Sequence, residues 1–161
     1  MSAVFFPSQP SEIEHPALSG LFAYWLTKCR DGALPSRRDI DPLEMKAWLG
    51  RISLLEIVDH GADFRFRLHG STLVQGVGID MTGRMLSEAR PVELRDVAMA
   101  QYREVYHRRA PLLVVGSWVL PRPHAVSDRL ILPLSETADE VTMLLSAVFP
   151  NPEKKALLMA G

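Results

Sequence analysis

Apolar residues recur at Leu18, Leu21, Phe22, Trp25, Leu26 and Cys29, the three- and four-residue spacing that lines one face of an α-helix. This predicts an amphipathic helix of about four turns. Two starts are open: Ser11 and Glu14 have capping-box spacing, and Pro16 suits a first helical position. Gly32 is placed to end the helix. Asp41-Pro42-Leu43-Glu44 predicts a second, short helix running to Gly50, with acceptor, proline and acid in capping order. The period then changes to two. Ile52 to Val58 and Phe64 to His69 read as strands joined by Asp59-His60-Gly61-Ala62. Phe64, Phe66 and Leu68 fall on one face, Arg65, Arg67 and His69 on the other. Helical spacing returns behind Pro91 in Leu94, Val97, Ala98, Tyr102, Val105 and Tyr106, and stops before Pro111. Three strands, Leu112 to Leu120, Arg129 to Leu134 and Val141 to Phe149, complete the pattern.

Two strands, a helical crossover and three strands in sequence predict an α+β fold, a five-stranded, mostly antiparallel sheet with helices on one face. The N-terminal amphipathic helix is additional to it. Residues 1–10 read as a flexible lead, 11–150 as a single domain and 151–161 as a C-terminal tail. Four stretches sharpen the picture: Leu34 to Pro42, Leu49 to Val58, Phe64 to Ser71 and Gly78 to Gly83. In their order they resemble a PAS-like family of small alphaproteobacterial proteins, and the similarity runs from about Leu18 to Phe149. What the resemblance implies is signalling; the chain is read as a stand-alone sensory or regulatory module that acts through a small ligand, a partner protein or both, and the short stretch after Phe149 is expected to hold no effector domain.

Composition narrows the class. The 161 residues suit one domain with a core of its own. The single cysteine, Cys29, cannot pair within the chain, and no C-x-x-C occurs, which points to a reducing cytoplasm. With 18 Lys+Arg against 19 Asp+Glu the net charge is −1; lacking a global basic field, the chain is expected to take no nucleic-acid partner. Its longest apolar runs are too short to cross a bilayer, so no membrane partner is expected. Motifs of serine hydrolases, P-loops, zincins and dinucleotide folds are missing. Gly76-Val77-Gly78 reads as a turn.

Three groups of residues carry the candidate chemistry. Tyr102, Tyr106 and Met99 on the long helix and Trp118 on the next strand would line a ligand cavity in the implied fold, with core filling as the competing reading. Arg37, Arg38 and Asp39 either grip a carboxylate or phosphate or tie down their own loop, and the second reading is favoured. Leu18, Leu21, Phe22 and Trp25 need a cover: the chain's own sheet, a protein partner or a second copy in a homodimer. No cofactor is expected. Haem would require a helix histidine such as His107, which at a helix end complements the dipole instead. Flavin photochemistry would require a cysteine, and Cys29 lies outside the core motifs. The competing class is a small cone-shaped α+β isomerase or dehydratase using Asp96, His107 or Tyr24 as acid or base, residues that share no recognisable spacing.

Overall fold

A computed structural model describes residues 2–118, 126–137, 139–154 and 160. Its order is β1 (Ala3–Phe5), α1 (Pro16–Lys28), β2 (Ile52–Val58), β3 (Asp63–His69), α2 (Ser71–Val77), α3 (Val92–Arg108), β4 (Leu112–Trp118), β5 (Val126–Leu134) and β6 (Met143–Pro150). The strands form one antiparallel sheet in the order β1-β4-β5-β6-β2-β3. The α+β class and the five expected strands are present, and a sixth joins them. Residues 3–5, expected within a flexible lead, pair with β4 as Ala3↔Val115, Val4↔Val114 and Phe5↔Leu113. An edge strand is stabilised by backbone bonds to its neighbour, and its three exposed side chains leave no burial pattern to read.

The expected helices cover one face of the sheet, and the additional N-terminal helix covers the other. β5 is buried at eight of its nine positions, and a strand apolar on both sides requires cover on both sides. On one face α1 lays Leu18, Leu21, Phe22 and Trp25 over Ile52, Leu54, Leu113, Leu130, Leu132 and Leu145. On the other, α3 lays Ala98, Tyr102 and Val105 over Leu55, Phe64, Leu112, Ile131 and Leu144. The α1 helix starts at Pro16 and ends at Lys28, four residues before Gly32, which instead forms the turn between Arg30 and Ala33. The expected helix after Asp41 is a run of hydrogen-bonded turns, opened by the Leu43 N–H on the Asp41 carboxylate at 2.8 Å. That local side-chain bond competes with helical pairing.

Two irregularities reset which way strands face. In β2–β3, Leu54 opposes Leu68 while Leu55 opposes Phe66. Arg67 is therefore an extra residue, and one extra residue exchanges the faces of everything beyond it. In β4–β5, Val114 opposes Arg129 and Ser117 opposes Ser127, and the extra residue of β4 is accommodated by Gly116 with φ of 72°. The Gly116 N–H is held by the Asp128 carboxylate at 3.0 Å, whose other oxygen accepts from Asn151 Nδ2 at 2.8 Å. The expected extension of β4 to Leu120 and most of the expected tail lie outside the described residues.

Candidate functional site

Between α3 and the sheet lies a cavity of about 120 Å³. Its floor comes from β2, β3, β5 and β6, which contribute Ser53, Phe66, His69, Arg129, Ser146 and Val148. Its walls are Leu73 and Val77 of α2, Met81 and Leu86 of the following loop, and Leu94, Ala98 and Tyr102 of α3. Arg90 and Arg95 also line it, but no Asp or Glu does.

The floor carries a polar row in an otherwise apolar layer. His69 is paired across strands with Ser53, and Ser53 with Ser146. Ser53 and Ser146 are buried, and the Tyr102 hydroxyl lies 3.3 Å from the Ser146 Oγ, donating to it. The Tyr102 ring is edge-on to Phe64 at 5.4 Å, and the Arg129 guanidinium lies 5.8 Å from its centroid. Arg129 Nη1 donates to Gln101 Oε1 at 3.0 Å, while its Nε–H is buried with no protein partner.

His69 reaches the floor because of the extra residue Arg67. Strict alternation would place Leu68 with Phe64 and Phe66; instead Leu68 is 36% exposed and His69 turns inward. Burial pushes its imidazole below the ordinary value, opposed by the negative charge of Asp80. Its Nδ1 accepts the Met81 N–H at 3.2 Å, which requires the proton of the neutral ring on Nε2. Through this bond the floor holds the loop that closes the cavity.

Of the expected ligand residues, Tyr102 lines the cavity. Tyr106 and Met99 pack at its α3 layer without lining it, and the Tyr106 hydroxyl turns outward to Glu140 Oε1 at 2.8 Å. That bond raises the phenol's pKa and lowers that of the Glu140 carboxyl. The Trp118 side chain lies outside the described residues. Arg37, Arg38 and Asp39 form one turn of 3-10 helix. Asp39 accepts from Ser36 N–H at 2.8 Å and from its hydroxyl at 3.0 Å, bonds that lower the Asp39 pKa. Arg37 donates from its backbone to Glu136 at 2.8 Å and from its side chain to Ile40 O at 3.1 Å. Asp39 and Arg37 thus brace their own loop, and Arg38 is exposed.

The acid and base candidates are not brought together. Tyr24 belongs to the α1 layer, where its hydroxyl donates to Glu44 at 2.8 Å; Asp96 is exposed and paired to Arg95 at 2.8 Å; His107 is exposed at the end of α3 beside Tyr106. Cys29 packs in the α1 layer, across the sheet from the cavity, with its thiol on Trp25 O, and burial pushes its pKa up. Sequence reasoning missed Ser53, His69, Arg129 and Ser146. The available signal was Ser146, a polar residue that interrupts the apolar run of β6; Arg129 ends the polar run Ser127-Asp128-Arg129 and gave no such signal.

A family model for the PAS domain matches residues 13–149. The chain belongs to the PAS domain family. PAS domains are in general sensory and regulatory modules. Among solved structures, the chain is similar to an RNA-binding light-oxygen-voltage receptor, with a TM-score of 0.51 and 11% identity. The match covers 99% of this chain and 42% of that one, so this PAS domain spans less than half the receptor's length, and the likeness establishes the fold. No curated protein matches the chain.

Two expectations about partners are corrected. The exclusion of nucleic acid fails, because a solved chain with this fold is an RNA-binding receptor; net charge averages over local patches, and RNA is read largely through stacking and local shape. The α1 stripe does not present a docking face for a partner or a second copy. Leu18, Leu21, Phe22 and Trp25 are at most 4% exposed and are covered by the chain's own sheet. Among the described residues no helix is long and apolar enough to cross a membrane.

Proposed function

We propose that this PAS domain senses a small molecule taken into the cavity between α3 and the sheet. The observation that carries the reading is the polar row His69–Ser53–Ser146, with Tyr102 and Arg129 beside it, set into an apolar layer at the floor of a cavity of about 120 Å³. A few convergent polar groups in apolar walls are what a small-molecule site requires. Occupancy would reach the surface through the roof. A ligand on the floor touches the side chains that hold α2, the Met81 loop and α3, and it shifts output to the extent that it binds one arrangement of that cover more tightly than another.

The test is mass spectrometry of the purified protein under native and denaturing conditions, with an absorbance spectrum, on wild type and on Ala98→Phe, which fills the cavity from α3. The expected result is a mass excess that disappears on denaturation and is lost in Ala98→Phe. A bare wild-type protein that also takes up no added small molecule, or an excess that Ala98→Phe retains, overturns the reading.

A further inference from the structure

We infer that the ligand is a small organic carboxylate, its acid group on Arg129 and its apolar body beneath α3; this deepens the reading of the cavity as the input site. Arg129 stands on the α3 face of β5, in a layer that is otherwise apolar apart from the polar row. Among the described residues no carboxylate forms an ion pair with it. Its one side-chain hydrogen bond goes to a neutral acceptor, Gln101 Oε1, and its buried Nε–H has no protein partner.

Arg129 is half-buried, and a guanidinium partly removed from water is costly unless an anion matches it. Its planar fork of donors suits a carboxylate, which takes two parallel bonds. Of the other arginines at the cavity, Arg95 of α3 is already engaged by Asp96 at 2.8 Å, and Arg90 is exposed. The cation at the floor is therefore the one placed for a ligand. Ser53 and Ser146 supply neighbouring hydroxyls for the same end of the molecule, whereas Phe66, Leu73 and Ala98 offer nothing to a fully hydrated anion. Inorganic phosphate would leave those walls unmatched. A cavity of about 120 Å³ is a little smaller than the roughly 150 Å³ that holds benzene in an engineered core, which limits the apolar body of the ligand to at most a benzene-sized group of about six heavy atoms.

The experiment titrates the isotope-labelled protein at constant ionic strength with sodium isobutyrate, sodium benzoate and the matching neutral amides, following backbone amides around residues 53, 129 and 146. Saturable shifts with at least about a tenfold preference for acid over amide are expected from a charge-assisted bond. Arg129→Gln should abolish that preference, and Arg129→Lys, which keeps the charge, should restore part of it; circular dichroism checks that each variant is folded. Equal binding of acids and amides, or a preference that survives in folded Arg129→Gln, overturns the carboxylate assignment while leaving the cavity as a binding site. Absence of saturable shifts with every acid and every amide overturns both.

Discussion

Replacing Trp25 by alanine tests the assignment of α1 to the chain's own core. The indole is 4% exposed, stacks on Phe22 at 5.9 Å and donates its Nε1–H to Pro133 O of β5 at 3.1 Å. Large-to-small replacement of a buried Trp costs about 3–5 kcal/mol. An independent route gives a similar size: burying roughly 150–250 Å² at about 25 cal/mol per Å² corresponds to ~4–6 kcal/mol, an upper bound because the unfolded chain hides part of that area. Against a total stability of about 5–15 kcal/mol the loss is a large share. At about 2–4 °C per kcal/mol for a domain of this size, Tm should fall by roughly 6–20 °C. Trp25→Phe separates the contributions, since it retains most of the apolar volume but leaves Pro133 O without its donor, at about 1–3 kcal/mol. Urea unfolding followed by far-UV circular dichroism measures both variants, with size-exclusion chromatography at matched concentration. A Trp25→Ala loss below about 1 kcal/mol together with a changed oligomeric state would refute the assignment and return the stripe to an intermolecular role.

Three further outcomes follow from the cavity and its rim. Because burial lowers the folded-state pKa of His69, the unfolded chain binds the extra proton first as pH falls through the ordinary value of about 6.5. Stability is then fully present above that pH and declines below it until the folded-state value is passed. Urea midpoints between pH 8 and pH 5 should show this slope in wild type and a weaker one in His69→Gln, and an identical slope in both would assign the effect to other groups. Gly70→Ala should disorder the junction of β3 and α2, because an added Cβ would lie 2.5 Å from Gly50 O and 2.8 Å from Ile52 O, both backbone; a thermal-melting shift within error of wild type would contradict the geometry. Tyr102→Phe should cost about 1 kcal/mol by removing the hydroxyl's bond to Ser146, read by urea denaturation, with a stabilised variant as the contrary result.

The long elements were legible because their causes are local. The α1 and α3 stripes and the strands of β2 and β3 follow from side-chain periods that any segment of the chain displays by itself, and the order of those elements carried the family resemblance. Such local periods predict that a face exists, not what covers it. That α1 belongs to its own sheet depends on β5 and β6 being apolar on both sides and adjacent in the middle of the sheet, a pairing of residues far apart in the chain.

The site was less legible for the same reason. Alternation assigned His69 to the wet face with Arg65 and Arg67, and it would be there if β3 were regular. Only the pairing of Leu54 with Leu68 and of Leu55 with Phe66 shows that Arg67 is extra and that His69 faces inward. Arg129 and Ser146 read alone as polar residues in apolar strands; that they meet Ser53 and Tyr102 is a consequence of strand order and register. What the amino-acid sequence determined by itself is the set of amphipathic segments, their order and hence the PAS fold. The tertiary structure decided which side chains share the cavity, because face and neighbour in a sheet are set by long-range register, and one inserted residue reverses them.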